Sequence, residues 1–134
     1  ISRVLDTLHG IKKGRIITVF GCGGESDTAK RPKMGKIAVE KSDIVIVTSD
    51  NPRNEDPEKI LDEMFAGIDQ SFFSSKEIFR IPKREEAIEH ALRMTKKDDI
   101  VLIAGKGHET YQQIGNIRQP FEDRKIVKAW MKQR

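Results

Sequence analysis

Two apolar runs constrain this chain more than anything else in it: residues 15–20 (RIITVF) and 44–48 (IVIVT). Neither alternates apolar with polar, so neither suits a sheet with one wet face. Runs this rich in β-branched residues read as strands buried on both sides, the environment of a parallel sheet covered by helices. The intervening sequence supplies those helices. The loop Gly21-Cys22-Gly23-Gly24 leads to a helix carrying Met34, Ile37 and Ala38, and the chain returns as a strand over 43–48. Asp56 then caps a helix that starts at Pro57 and carries Ile60, Leu61, Met64, Phe65 and Ile68 down one face.

A third strand is expected at 78–81. Pro82 opens a helix with Ala87, Ile88, Ala91 and Leu92 towards the core, and 100–104 is the fourth strand. Beyond it, segments 111–114 and 117–121 flank Gly115-Asn116, a hairpin turn, and a last helix from about Asp123 buries Ile126, Val127 and Trp130. The expected fold class is α/β: a Rossmann-like, mostly parallel sheet with helices on both faces and an antiparallel edge hairpin. The first ten residues predict the last turns of a helix (Val4, Leu5, Leu8) ending near Gly10, as in a piece cut from something longer. Residues 1–14 are therefore expected to end an interdomain helix, with 15–134 as the folded domain.

A chain of 134 residues makes one ordinary domain. Cys22 is its only cysteine, which excludes an internal disulfide and a multi-cysteine zinc site and fits a reducing compartment. Its expected role is that of a small packed residue. No apolar run reaches the length of a membrane span and no leader opens the chain, so a cytoplasmic location without membrane contact is expected. The net charge of +4 includes a cluster at Lys30, Arg31, Lys33 and Lys36, which raises nucleic acid as a partner. Elsewhere basic residues are interleaved with acidic ones and only 6% of residues are aromatic, so small anionic ligands fit better than nucleic acid.

Three loops leave the carboxyl ends of expected strands, the rim where open α/β sheets bind ligands. The second holds Asp50-Asn51-Pro52-Arg53: a carboxylate, an amide and a guanidinium on a turn stiffened by proline. The first, Gly21-Cys22-Gly23-Gly24-Glu25-Ser26, approaches a dinucleotide fingerprint but has serine in place of the third glycine and no helix directly behind it. Lys30 and Arg31 at its end either face an anion across the crevice or belong to a solvated loop. The third, Gly105-Lys106-Gly107-His108-Glu109, lets backbone amides approach a ligand beside a carboxylate, and it is not a Walker A loop. His9 and His90 read as helix-surface or helix-end residues.

Taken in order, Val19-Phe20-Gly21-Cys22-Gly23-Gly24, Lys30-Arg31-Pro32 with Met34-Gly35, residues 48–53 with Glu55 and Pro57, residues 104–109 with Tyr111-Gln112, and Asp123-Arg124 resemble the carboxy-terminal domain of the Mur ligases. The match is to the branch that adds the third amino acid of the peptidoglycan stem peptide. The resemblance implies ATP-dependent amide formation, in which a carboxylate of a nucleotide-linked dipeptide becomes an acyl phosphate that the incoming amine attacks. It implies ATP and Mg held mainly by two preceding domains, and an isolated domain without turnover. Its implied partners are meso-diaminopimelate and, through the full-length enzyme, the UDP-MurNAc-dipeptide.

On this resemblance Asp50, Asn51, Pro52 and Arg53 match the diaminopimelate-recognition motif, with Arg53 and Asn51 on the carboxylate that lysine lacks. Arg31 matches a further contact to the amino acid, and Gly105 and Glu109 match the loop that holds the distal ammonium. His108 is a candidate with open roles: orienting Glu109, touching the nucleotide, assisting deprotonation of the amine, or a structural hydrogen bond. The family usually carries Asp-Arg-Asp after the double glycine, where this chain has Glu25-Ser26-Asp27. Competing classes are a stand-alone Rossmann-type nucleotide-binding module, motivated by the glycine loop, and a basic nucleic-acid-binding domain.

Overall fold

The computed structural model describes residues 2–24, 28–104, 111–114, 117–120 and 123–133. Four strands, β1 (Ile16–Phe20), β2 (Ile44–Val47), β3 (Glu77–Arg80) and β4 (Ile100–Ala104), form one sheet in the order β3-β2-β1-β4. Every pair in it is parallel. The chain moves outward from β1 through β2 to β3, then crosses to the far side of β1 for β4. This reversal is the kind of switch point beside which open sheets form their crevice.

The two apolar runs behave as their composition requires. Phe20, Val45 and Val47 point to one face, under α2 (Lys30–Lys41) and α3 (Pro57–Phe65), where Ala38, Val39, Ile60, Leu61 and Met64 meet them. Ile17, Val19, Ile44 and Ile46 point to the other, against Ala87, Ile88 and Ala91 of α5 (Arg84–Met94). Both faces are therefore dry, and the lone hydroxyl in β1, Thr18, is satisfied by Ser42 Oγ at 2.7 Å. Asp56 caps α3 by accepting from Glu58 N at 3.0 Å, and Pro57 opens the helix, as expected.

The register pairs Phe20 with Val47 and with Ala104, and Val47 with Arg80. The strands thus end at one level, and the segments following β1, β2 and β4 leave from a common rim. At the opposite end Asp99 pins the start of β1. Its carboxylate accepts from Arg15 N (2.8 Å), from the Arg15 guanidinium (2.8 and 3.2 Å) and from Lys96 N (2.9 Å). These bonds, the Arg15 guanidinium first, hold the Asp99 carboxyl down at about 2. A depressed carboxylate contributes stability above its unfolded pKa, near 3.9, and loses it as pH falls through the folded value. Asp99→Asn is accordingly expected to cost about 1–2 kcal/mol at pH 7, after discounting for the partly exposed arginine, with the gap to the parent closing between pH 4 and 2. Urea titrations at several pH values check this, and a gap that persists at pH 2 contradicts it.

Several expectations are corrected. The hairpin pairs antiparallel as β5 (Tyr111–Ile114) and β6 (Ile117–Pro120), but as a separate two-stranded sheet instead of an added edge. β6 closes at Pro120, which has no N–H to extend a ladder. Its turn at Gly115-Asn116 lies outside the described residues. A short helix, α4 (Phe72–Ser75), was not anticipated, and β3 begins one residue earlier than expected. The amino-terminal helix α1 (Ser2–Ile11) ends one residue past Gly10, as expected. Of its apolar residues Leu5 is buried and Val4 is exposed. Ile126, Val127 and Trp130 of α6 (Asp123–Lys132) are half-buried, while the buried residue of that helix is Asp123.

Candidate functional site

Beyond β2 the chain stays buried: Thr48, Ser49, Asp50, Asn51 and Pro52 are all withdrawn from solvent, and Arg53 is partly exposed. Thr48 N continues the pairing to Phe20 O at 2.9 Å. The turn is then fastened to the first loop at Gly24. Gly24 N donates to Asn51 O at 2.6 Å, and Arg53 Nη1 donates to Gly24 O at 2.7 Å. Arg53 holds a left-handed backbone, with φ of 53°. That conformation costs a non-glycine residue of order 1 kcal/mol and persists where the surroundings impose it, frequently at binding sites. Here the Gly24 bond and the Glu55 N to Pro52 O turn bond (3.0 Å) impose it.

The close approach explains the glycines. A Cβ on Gly24 would lie 1.8 Å from Pro52 O, and one on Gly21 would lie 2.7 Å from Thr48 O. The space that a dinucleotide site reserves for pyrophosphate is filled here by the chain's own 48–52 backbone, and α2 begins only at Lys30. The stand-alone nucleotide-module reading therefore loses its motivating feature.

Of the Lys30-Arg31 pair, Lys30 is exposed and Arg31 is buried. Arg31 stands in the first turn of α2, 1% exposed, so the solvated-loop alternative does not hold for it. Its guanidinium donates to Glu55 Oε2 (2.6 Å) and Oε1 (3.3 Å), Glu63 Oε2 (2.6 Å) and Gly23 O (3.1 Å). The Glu55 hydrogen bond leads the causes that raise its pKa further above the already basic arginine value. One side chain thereby joins the start of α2, the first loop, the second loop and α3. The anion it faces in this state belongs to the protein.

Around Gly23 and Gly24 the fold brings together Arg31, Asp50, Asn51, Pro52 and Arg53. An atom built as Cβ on Gly23 would lie 3.1 Å from Arg53 Nη1, 3.8 Å from Asn51 O and 3.9 Å from Asp50 Oδ2. Gly105, His108 and Glu109 lie outside the described residues, as do Glu25, Ser26 and Asp27. The strand that leads to Gly105 ends at Ala104, on the same rim. Cys22 is buried, 3.6 Å from Met34 Sδ, and burial pushes its thiol up to about 11. It is a packed residue and is almost entirely protonated at neutral pH. His9 is on the surface, its Nε2 2.8 Å from Lys41 O, whereas His90 is half-buried with its ring edge-on to Phe79 at 4.7 Å.

Two buried arginines at the rim were missed or misjudged, and one signal identifies both. Arg84 occupies the same helical stripe as Ala87, Ile88 and Ala91, and Arg31 the same stripe as Gly35, Ala38 and Val39. A charged residue at a core-facing position of an amphipathic helix has to be buried and paired. Arg84 is 1% exposed and its Nε and Nη2 donate to Asp123 Oδ1 and Oδ2 at 2.8 and 2.9 Å.

Sheet order and the common rim define an open α/β domain, and comparison with known proteins gives its family. Residues 1–107 match the model of the Mur ligase glutamate ligase domain, and the chain belongs to that family. It is 49% identical to a protein of Clostridioides difficile named UDP-N-acetylmuramoyl-L-alanyl-D-glutamate--2,6-diaminopimelate ligase, over 95% of this chain and 26% of the relative. A Geobacillus kaustophilus protein of the same name is 47% identical over 100% of this chain and 27% of its own. A solved structure titled as that ligase superposes with a TM-score of 0.92 at 43% identity, covering 98% of this chain and 26% of the other. The chain spans about a quarter of the length of the relatives it matches. No helix of the described residues is long and apolar enough to cross a membrane.

Proposed function

We propose that this chain is the amino-acid-selecting domain of a longer, cytoplasmic ATP-dependent ligase that adds meso-diaminopimelate to UDP-MurNAc-L-Ala-D-Glu in peptidoglycan synthesis. The names of its relatives support the reaction, and the surroundings of Arg53 support the site. Arg31 and Arg84 are buried against carboxylates, while partly exposed Arg53 donates to a neutral carbonyl, Gly24 O. A guanidinium directed by a backbone carbonyl and partly open to solvent suits the carboxylate that distinguishes diaminopimelate from lysine.

In this reading Arg53 and Asn51 take the distal carboxylate, and Asp50 and Pro52 hold the turn's shape and charge. Arg31 contacts the amino acid by exchanging one of its glutamate partners for a substrate carboxylate, and Gly105 with Glu109 holds the distal ammonium. His108 stays a candidate for placing Glu109. Residues 1–14, including α1, serve as the approach from a preceding domain, with 15–134 as the binding domain. ATP and Mg would be held by other domains. Among the described residues there is no group of three or more His, Cys, Asp or Glu side chains able to hold a metal, and the glycine loop is occupied by backbone.

The test is amino-acid use by a ligase carrying this domain, with ATP, the UDP-linked dipeptide, and diaminopimelate or lysine supplied separately. Mass spectrometry of the nucleotide product is expected to show efficient addition of diaminopimelate and little of lysine. Equal use of the two would overturn the proposed selectivity.

A further inference from the structure

One buried charged group links the candidate site to the rest of the rim without belonging to the motif. Arg84 makes four bonds. Besides the bidentate pair with Asp123, Nη1 donates to Ser49 O at 3.1 Å and Nη2 donates to Ala104 O at 3.2 Å. Ser49 immediately precedes Asp50, and Ala104 is the last residue of β4, immediately before Gly105. β2 and β4 are not neighbours, since β1 lies between them. Their ends are joined through Phe20 of β1, which pairs with both Val47 and Ala104, and no ladder bond runs directly between them. A single guanidinium, drawn from α5 and held by the first residue of α6, bridges that gap.

Building on the proposed amino-acid site, we infer that Arg84 and Asp123 are a positioning pair. They set the distance between the two strand ends that carry the proposed carboxylate-binding and ammonium-binding segments, and so tune recognition of the amino acid without touching it. Stability alone is a poor account of the pair, because a buried ion pair can commonly be replaced by apolar residues of similar volume at little cost. Apolar replacements cannot, however, hydrogen-bond Ser49 O and Ala104 O at a fixed separation, which the rigid guanidinium fork does. A distance between two contacts on one small ligand is also what specificity depends on, since a misplacement of about 1 Å can lower the rate on the order of a hundredfold.

The experiment follows from that contrast. In the ligase carrying this domain, Arg84→Met combined with Asp123→Leu removes both charges together and leaves neither unpaired. The double variant is expected to stay folded, with a thermal midpoint near the parent's. KM for diaminopimelate should rise at least tenfold, while KM for ATP and for the nucleotide substrate changes less than twofold. Arg84→Lys, which keeps the charge but loses the fork, should fall between. If the double variant does not fold, Asp123→Asn carries the comparison with a severalfold rise in the same KM. A folded variant with the parent's KM for the amino acid, or one in which all three KM values worsen together, overturns the inference. The parent assayed alongside separates the two ideas. Were it to use lysine and diaminopimelate equally, the proposed selectivity would fail, yet the KM for either amino acid would still report whether the pair positions the site.

Discussion

Gly24→Ala is expected to destabilise the domain by about 3–5 kcal/mol, from an overpacking cost of about 1–3 kcal/mol and two weakened hydrogen bonds of about 1 kcal/mol each. The added methyl would sit 1.8 Å from Pro52 O, 2.5 Å from Pro52 C and 3.1 Å from Pro52 Cα. All three are backbone atoms, so no rotamer change relieves the overlap and the two loops have to separate. Separation weakens the bonds that define the turn, Gly24 N to Asn51 O and Arg53 Nη1 to Gly24 O. Arg53 then loses the support for its left-handed backbone, so binding should suffer even in the molecules that stay folded. Gly10→Ala is the internal control. Gly10 lies within α1 with nothing near the added atom, and alanine there should stabilise by up to about 1 kcal/mol. Urea unfolding of the two variants decides the matter: similar midpoints for both would mean that the loops are not packed as described.

How much of this was legible in the sequence depends on whether local pattern or tertiary pairing fixes each feature. β1, β2 and α3 were readable because their signals are local: uninterrupted β-branched runs, and an Asp-Pro start followed by apolar residues at helical spacing. The shared rim followed from parallel topology, and the register bears it out for β1, β2 and β4. Arg31 was recognisable as important through its family match, but its surroundings were not, because Glu55 and Glu63 lie 24 and 32 residues away and no local rule pairs them. Arg84 was overlooked since the apolar residues of α5 were counted and the arginine on the same stripe was not. The hairpin was legible as a hairpin, whereas its separation from the main sheet is a matter of tertiary placement. In α6 the pattern identified the inward face but overstated its burial, with Ile126, Val127 and Trp130 only partly covered.

The central claim is that the turn after β2 reads the far-end carboxylate of the incoming amino acid, and Arg53→Ala addresses it directly. A charge-assisted bidentate contact from a partly exposed guanidinium contributes about 2–3 kcal/mol to discrimination, or on the order of 30- to 200-fold in kcat/KM. The substitution leaves the neighbouring pairs in place, since Arg31 and Arg84 draw on Glu55, Glu63 and Asp123 instead. The loss should therefore fall on one substrate. The measurement is the ratio of kcat/KM for meso-diaminopimelate over lysine, in the parent ligase and in Arg53→Ala. The account predicts a fall in that ratio of about 30-fold or more, arising almost wholly from poorer use of diaminopimelate, with lysine use nearly unchanged. A ratio that stays at the parent's value in a folded Arg53→Ala enzyme would contradict it.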